Sequence, residues 1–128
     1  MEFDAVGHSM GGIVLLQYLL ERRERHRMRR IVTVGTPHGG TELFWFSMLA
    51  PARQLRPGGA FLERLKEAGI PPGVEAAAIG SDFDQFVIPN RNARWDQPGV
   101  ENHTVTGVGH ARLLFHKKIF RLIEVALT

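Results

Sequence analysis

The sequence predicts an α/β fold, with a parallel sheet of about four strands and helices on both faces. Three observations carry that prediction. Short apolar runs of strand length alternate with longer helical ones, the order expected when parallel strands are joined by crossover helices. Gly and Pro gather between those runs, at 51, 57–59 and 71–73. The first apolar run also leads directly through Gly7-His8-Ser9-Met10-Gly11-Gly12 into a helical stretch.

Residues 2–6 are apolar at intervals and end at Gly7, so they read as the first strand. Residues 10–23 follow as a helix, carrying Ile13, Val14, Leu15, Leu16, Tyr18 and Leu19 nearly all round its circumference. A helix without a polar face is expected to be buried. The run 31–35 is a second strand, after which helical segments near 42–50 and 59–68 are bracketed by the Pro and Gly clusters. Together residues 42–70 suggest a small cap-like helical insertion. Residues 74–80 and 103–107 supply the third and fourth strands, and the apolar stretch 111–126 a closing helix. No repeat or linker divides the chain, so residues 1–128 read as a single domain.

The six residues 7–12 form the most informative motif of the chain. Gly-x-Ser-x-Gly between a strand and a helix forms a tight turn that lifts the Ser hydroxyl above the sheet. The pattern alone would arise by chance in about 4% of chains of this length, so its setting has to support it. Here strand, turn and helix come in the required order. Gly7 and Gly11 are expected to leave room for crowded backbones, with Ser9 held in an unfavourable conformation. The first-turn N–H groups, that of Met10 above all, would face the negative charge that develops on a substrate carbonyl oxygen.

A nucleophilic Ser needs a base, and the base an orienting acid. His110 has the best setting among the six histidines, at the end of the run 104–110, which alternates β-branched residues and turns at Gly107 and Gly109. The acid comes from the polar turn after the strand at 74–80, where Asp84 is preferred and Asp82 is the alternative. Ser9, Asp84 and His110 then stand in the chain order Ser, acid, His.

Four segments in that order, GHSMGG at 7–12, IVTVGTPHGGT at 31–41, DQFVIP at 84–89 and GVGHARLL at 107–114, resemble those of bacterial lipases and esterases of the α/β-hydrolase fold. The resemblance is to triacylglycerol lipase-like enzymes, with broader similarity to the GPI inositol-deacylase branch. A segment at 56–65 is similar to the cap region of such lipases. What the resemblance implies is a serine hydrolase cleaving carboxylic esters through an acyl-enzyme, with Ser9 as nucleophile, His110 as base, Asp84 as acid and Met10 N–H as one oxyanion donor. The segment 36–41 follows a strand beside the serine turn and is placed to line an acyl pocket, although His38 by itself reads as a structural hydrogen-bonding residue; Phe44 and Trp45 belong to an apolar cluster that reads as core, with a substrate-facing lid as the alternative that the resemblance implies.

The resemblance covers only the C-terminal half of the family's domain, so the expected fold is a partial one lacking the N-terminal strands. The family's second oxyanion donor, from a loop after an earlier strand, then has no counterpart here. The nucleophile strand becomes a sheet edge, open to a homodimer or a partner chain. The alternative function is therefore an inactive truncated hydrolase that serves as an interaction module or completes its site with a partner.

Composition narrows the remaining classes. With 128 residues, 44% of them hydrophobic, the chain can bury about two-thirds of its unfolded surface. It has no cysteine, which excludes disulfides and thiol chemistry. No apolar run spans a membrane and no signal peptide precedes the turn, which suggests a cytoplasmic location for the chain as given and leaves secretion open for full-length relatives. No histidine pair has metal-ligand spacing with an acidic partner, so neither a metal nor a cofactor is expected. Six arginines fall within residues 22–30, but the net charge is only +3 and no aromatics are interleaved. That run reads as a solvated helix end with favourably placed cations, against nucleic-acid binding. The expected substrate is an ester or lipid, with peripheral contact at a lipid surface.

Overall fold

The computed structural model describes residues 1–43 and 50–128. Four strands form one sheet in the order β1-β2-β3-β4, where β1 is Phe3–His8, β2 Met28–Val34, β3 Glu75–Ser81 and β4 Glu101–Val105. All three neighbouring pairs are parallel. Sequential parallel strands require crossovers; α1 (Met10–Glu21) supplies the one between β1 and β2, α2 (Ala60–Ala68) lies in the one between β2 and β3, and the one between β3 and β4 holds a 3₁₀ turn at Asn90–Ala93. A last helix, α3 (Lys117–Ala126), follows β4.

Strand side chains alternate between faces, which sorts the core into two layers. On one face Val32, Val34, Ala77, Ile79 and Val105 pack with Leu113 and with Ile119 of α3. On the other, Ile31 and Ala78 meet Leu19 of α1 and the Trp95 ring. Because β2 and β3 are buried on both faces, they read in sequence as nearly continuous apolar runs.

The second strand starts three residues earlier than the 31–35 run, and so takes in part of the arginine cluster. The reason is Met28, which is buried and pairs with Phe3. Arg29 and Arg30 are tolerated there because the start of a parallel strand can present charge to its neighbours. Arg29 makes a two-pronged contact with Asp4 at 3.0 and 3.1 Å, and Arg30 reaches Asp4 at 3.3 Å and Glu75 at 3.2 Å. Arg22, Arg23, Arg25 and Arg27 are exposed, as a solvated helix end and loop require.

The fourth strand is likewise shifted towards the N-terminus, to Glu101–Val105, because the Asn102 amide bonds both the N–H and the carbonyl of Trp95 and fixes the strand's entry. The expected single helix over 111–126 is broken in two. A 3₁₀ turn at Ala111–Leu114 ends at Phe115, and His116 then caps α3 by accepting the Lys118 N–H at 3.3 Å. Helix α1 departs from its expected burial, since only Gly12, Ile13 and Leu19 are buried and Val14 is 64% exposed. Its apolar outer side lies beside β1, which is hydrogen-bonded to β2 alone among the described residues. Most of the expected helix near 42–50 lies outside the described residues.

Candidate active site

The loops that leave the C-terminal ends of the strands meet at one end of the sheet, where open parallel sheets place their binding sites. Ser9 is the first residue after β1. Its backbone, at φ 56° and ψ −126°, is the one non-glycine with positive φ among the described residues. Such a conformation costs about 1–3 kcal/mol and persists only when neighbours hold it. Two hydrogen bonds do so: the Ser9 N–H donates to the Val34 carbonyl and the Thr36 hydroxyl donates to the Ser9 carbonyl, both at 2.8 Å.

A serine before a helix ordinarily caps it with its side chain. Here Ser9 precedes α1 and its hydroxyl makes no capping hydrogen bond. The turn is possible because β1 and α1 approach closely. A Cβ on Gly7 would lie 2.6 Å from the Gly12 nitrogen, and one on Gly12 would collide with the Thr36 side chain. Gly11, expected to share that crowding, has open space around it instead.

Asp84 and His110 sit on the loops after β3 and β4 and are joined at 2.8 Å, His110 Nδ1–H donating to Asp84 Oδ2. Asp84 is 2% exposed. A buried carboxylate must have its lone pairs satisfied, and Oδ1 accepts the N–H groups of Phe86 and Val87 at 2.9 and 3.2 Å. Asp82, the alternative acid, is exposed and accepts from the Gly107 N–H at 2.8 Å. It therefore ties the two loops together from outside, while Asp84 faces the imidazole.

The pair lies close to the serine turn. A Cβ on Gly35, the residue after β2, would be 3.2 Å from Asp84 Oδ2 and 3.4 Å from His110 Nδ1. Gly35 adjoins Val34, which holds the Ser9 N–H. From the turn itself, the His8 ring packs on the His110 ring with centroids 4.7 Å apart. Among the described residues no hydrogen bond joins the Ser9 hydroxyl to His110.

Several side chains that sequence reasoning passed over fix these loops. Gln85 Oε1 accepts the His110 N–H at 3.0 Å. The buried Ser81 hydroxyl donates to the Val108 carbonyl, tying the β3 and β4 loops. Asn90 donates to the carbonyls of Asp84 and Val87 at 2.6 and 2.9 Å. Thr41 donates to the Phe86 carbonyl at 2.9 Å and accepts the Ile88 N–H at 3.2 Å, so the TPHGGT segment braces the Asp84 loop. Gln85 was within reach of sequence reasoning as the neighbour of the acid; the others carried no signal.

The structure does not bring His38 to the Asp84–His110 pair. Its ring stacks on Trp95 at 4.7 Å and 10°, and its Nε2 meets the Thr33 hydroxyl at 2.7 Å, on the α1 side of the sheet. Phe44 and Trp45 lie outside the described residues. Burial drives the His38 pKa down to about 3 from an ordinary 6.5.

The linkage sign follows from that depression. The folded state keeps His38 neutral where the unfolded chain takes up a proton, so the contribution is complete above pH 6.5 and shrinks as pH falls towards 3. The expected slope over that window is about 1.4 kcal/mol per pH unit. Urea midpoints of the native chain and His38→Gln, measured from pH 7 to 4, test this. Parallel curves would contradict it.

Among the described residues no group of three His, Cys, Asp or Glu side chains is gathered to hold a metal ion, and no helix is long and apolar enough to cross a membrane.

Comparisons with known proteins agree with this architecture. The lin2722 gene product of Listeria innocua superimposes with a TM-score of 0.71 at 18% identity, covering 98% of this chain and 57% of that one. A monoacylglycerol lipase of Paleococcus ferrophilus gives 0.64 at 12% identity, over 95% of this chain and 66% of that one. Carboxylesterase CesB (YbfK) of Bacillus subtilis gives 0.57 at 15% identity, over 96% and 59%. The chain thus spans less than two thirds of the length of each. No curated protein matches the sequence. A family model described as an alpha/beta hydrolase of unknown function (DUF915) matches residues 1–85, and the chain belongs to that α/β-hydrolase family.

Proposed function

We propose that the chain carries the catalytic residues of a serine hydrolase acting on carboxylic esters. The observation that supports this most is Ser9: a strained, non-capping serine at a strand-to-helix turn, beside a buried Asp84–His110 pair. Fold neighbours that include a monoacylglycerol lipase and a carboxylesterase favour esters over other acyl substrates.

In this mechanism the Ser9 Oγ attacks the ester carbonyl carbon as His110 Nε2 takes its proton. The Asp84 carboxylate keeps the His110 proton on Nδ1, so that Nε2 has a lone pair, and stabilises the imidazolium that forms. The Met10 N–H, in the first turn of α1, donates to the oxyanion; such first-turn donors have no partner within the helix. Collapse expels the alcohol, which collects its proton from His110. Water, deprotonated by the same base, then releases the carboxylic acid from Ser9. Phe83 and Phe86, both exposed on the Asp84 loop, offer apolar surface to an acyl group or a lipid interface.

A second reading is favoured by one feature, the outer edge of β1. Phe3 and Val6 are 40% and 45% exposed there. The Phe3 ring meets Tyr18 at 6.1 Å, and Tyr18 with Met10, Val14 and Phe61 lines a groove of about 970 Å³ along α1. On this reading a partner polypeptide or a second copy pairs with β1 and supplies the second oxyanion donor. The test of the hydrolase reading is turnover of short-chain nitrophenyl esters by the purified chain. A rate above the buffer blank that Ser9→Ala removes supports it, and equal rates for both proteins would overturn it.

A further inference from the structure

The residue before the proposed nucleophile does more than shape its turn. His8 Nε2 lies 3.1 Å from the backbone carbonyl of His110. A carbonyl only accepts, so His8 must carry its proton on Nε2. The two rings are also in contact, with centroids 4.7 Å apart and planes tilted by 41°. The Phe86 ring also packs against His110, with centroids 5.0 Å apart.

His110 is thereby held at every polar atom except one. Its N–H donates to Gln85 Oε1 at 3.0 Å, its Nδ1–H to Asp84 at 2.8 Å, and its carbonyl accepts from His8. Only Nε2 is left over. Of these three anchors, Gln85 and Asp84 come from the β3 loop, and His8 alone comes from the element that carries Ser9. We infer that His8 is a positioning residue, which couples the serine turn to the His110 loop through its Nε2–H and so fixes the imidazole relative to the Ser9 hydroxyl.

The chemistry of the site suits this role. Two titratable groups face His8, His110 and Asp84. Burial lowers the His8 pKa, and the neighbouring His110 adds to that effect against the opposing pull of the His110 carbonyl and Asp84. A neutral His8 donates its hydrogen bond without placing a second cation against the His110 imidazolium.

This inference rests on the hydrolase reading for its catalytic consequence, but not for its structural one, and the test separates the two. His8→Leu removes the donor and keeps most of the volume, while His8→Gln keeps an N–H at similar reach. The first readout is the saturating rate of fluorophosphonate labelling of Ser9 from pH 5 to 9. His8→Leu is expected to lower that plateau by roughly three- to tenfold, the range for one such hydrogen bond, with reagent affinity unchanged and His8→Gln recovering most of the loss.

The second readout needs no reactivity. Nitrogen-15 NMR of the imidazoles should show a His110 Nδ1 proton protected from solvent exchange in the native chain and in His8→Gln, and exchanging faster in His8→Leu. Labelling of the native chain with no difference among variants in either readout overturns the positioning role. Absence of labelling together with the expected NMR pattern would remove the hydrolase reading and leave the coupling standing. A His8→Gln protein no better than His8→Leu in both readouts would reduce His8 to a packing residue.

Discussion

Replacing Asp84 with Asn is expected to slow fluorophosphonate labelling of Ser9 by roughly 10⁴-fold while leaving the chain folded. The size of the effect follows from the two oxygens having different work. Oδ1 accepts two backbone N–H groups, of Phe86 and Val87, and Oδ2 accepts the His110 Nδ1–H. An asparagine has one oxygen, which the two backbone donors claim, so its NH₂ is turned towards the imidazole. His110 Nδ1 must then accept, and its proton moves to Nε2. A ring in that tautomer cannot take a proton from Ser9. Because the loop's backbone contacts survive, the urea midpoint should change little compared with the labelling rate. Labelling within tenfold of the native rate would mean that Asp84 does not set the tautomer.

The largest effect on stability is expected at Gly7. A methyl group there would lie 2.6 Å from the Gly12 nitrogen and 2.7 Å from its Cα, and neither is the end of a side chain that could swing away. Helix α1 would have to lift from β1, breaking the turn that holds Ser9. Gly7→Ala is therefore expected to lose about 3 kcal/mol or more, at or beyond the usual range for overpacking. Gly11→Ala is the control. It sits in the first turn of α1 with nothing within 4 Å of the added Cβ, so it should gain about 0.5 kcal/mol from reduced unfolded-state freedom. Urea unfolding of the two variants checks both signs. Equal stabilities would show that the close approach of β1 and α1 is not what requires glycine.

Those two glycines also mark the limit of what could be read from the sequence. The motif's spacing placed a glycine on either side of Ser9, and Gly7 is crowded as expected, but on the helix side the crowding falls on Gly12 and not on Gly11, because Gly12 is where α1 passes Thr36 of the neighbouring loop. A contact between segments that distant has no local signature. The order of strands and helices was legible because β2 and β3 are buried on both faces and β1 runs straight into the glycines. Strand starts were less so. Met28 and Asn102 fix the beginnings of β2 and β4 through tertiary contacts, and these override the local impression made by arginines and a polar stretch.

At the candidate site, the chain order and the turns after strands pointed to Ser9, Asp84 and His110. The choice between Asp84 and Asp82 depended on burial, which the alternation of a short polar turn does not reveal. His38 shows the opposite case. Its segment, after the strand beside the serine strand, suggested a pocket, while the residue itself read as a structural hydrogen-bonding one; the fold places it on the α1 side of the sheet, bonded to Thr33 and stacked on Trp95. The bond from His8 to the His110 carbonyl joins residues 102 apart in the chain, and nothing in the spacing announces it.

The most direct test of the central claim is intact-mass detection of a fluorophosphonate adduct on the purified chain, with peptide mapping and with Ser9→Ala and His110→Ala alongside. A single adduct on Ser9, absent from both variants, is the expected result and would mean that the serine turn and the Asp84–His110 pair assemble into a working nucleophile within this chain. A folded chain that takes no adduct, or takes it equally with His110 replaced, would contradict that claim.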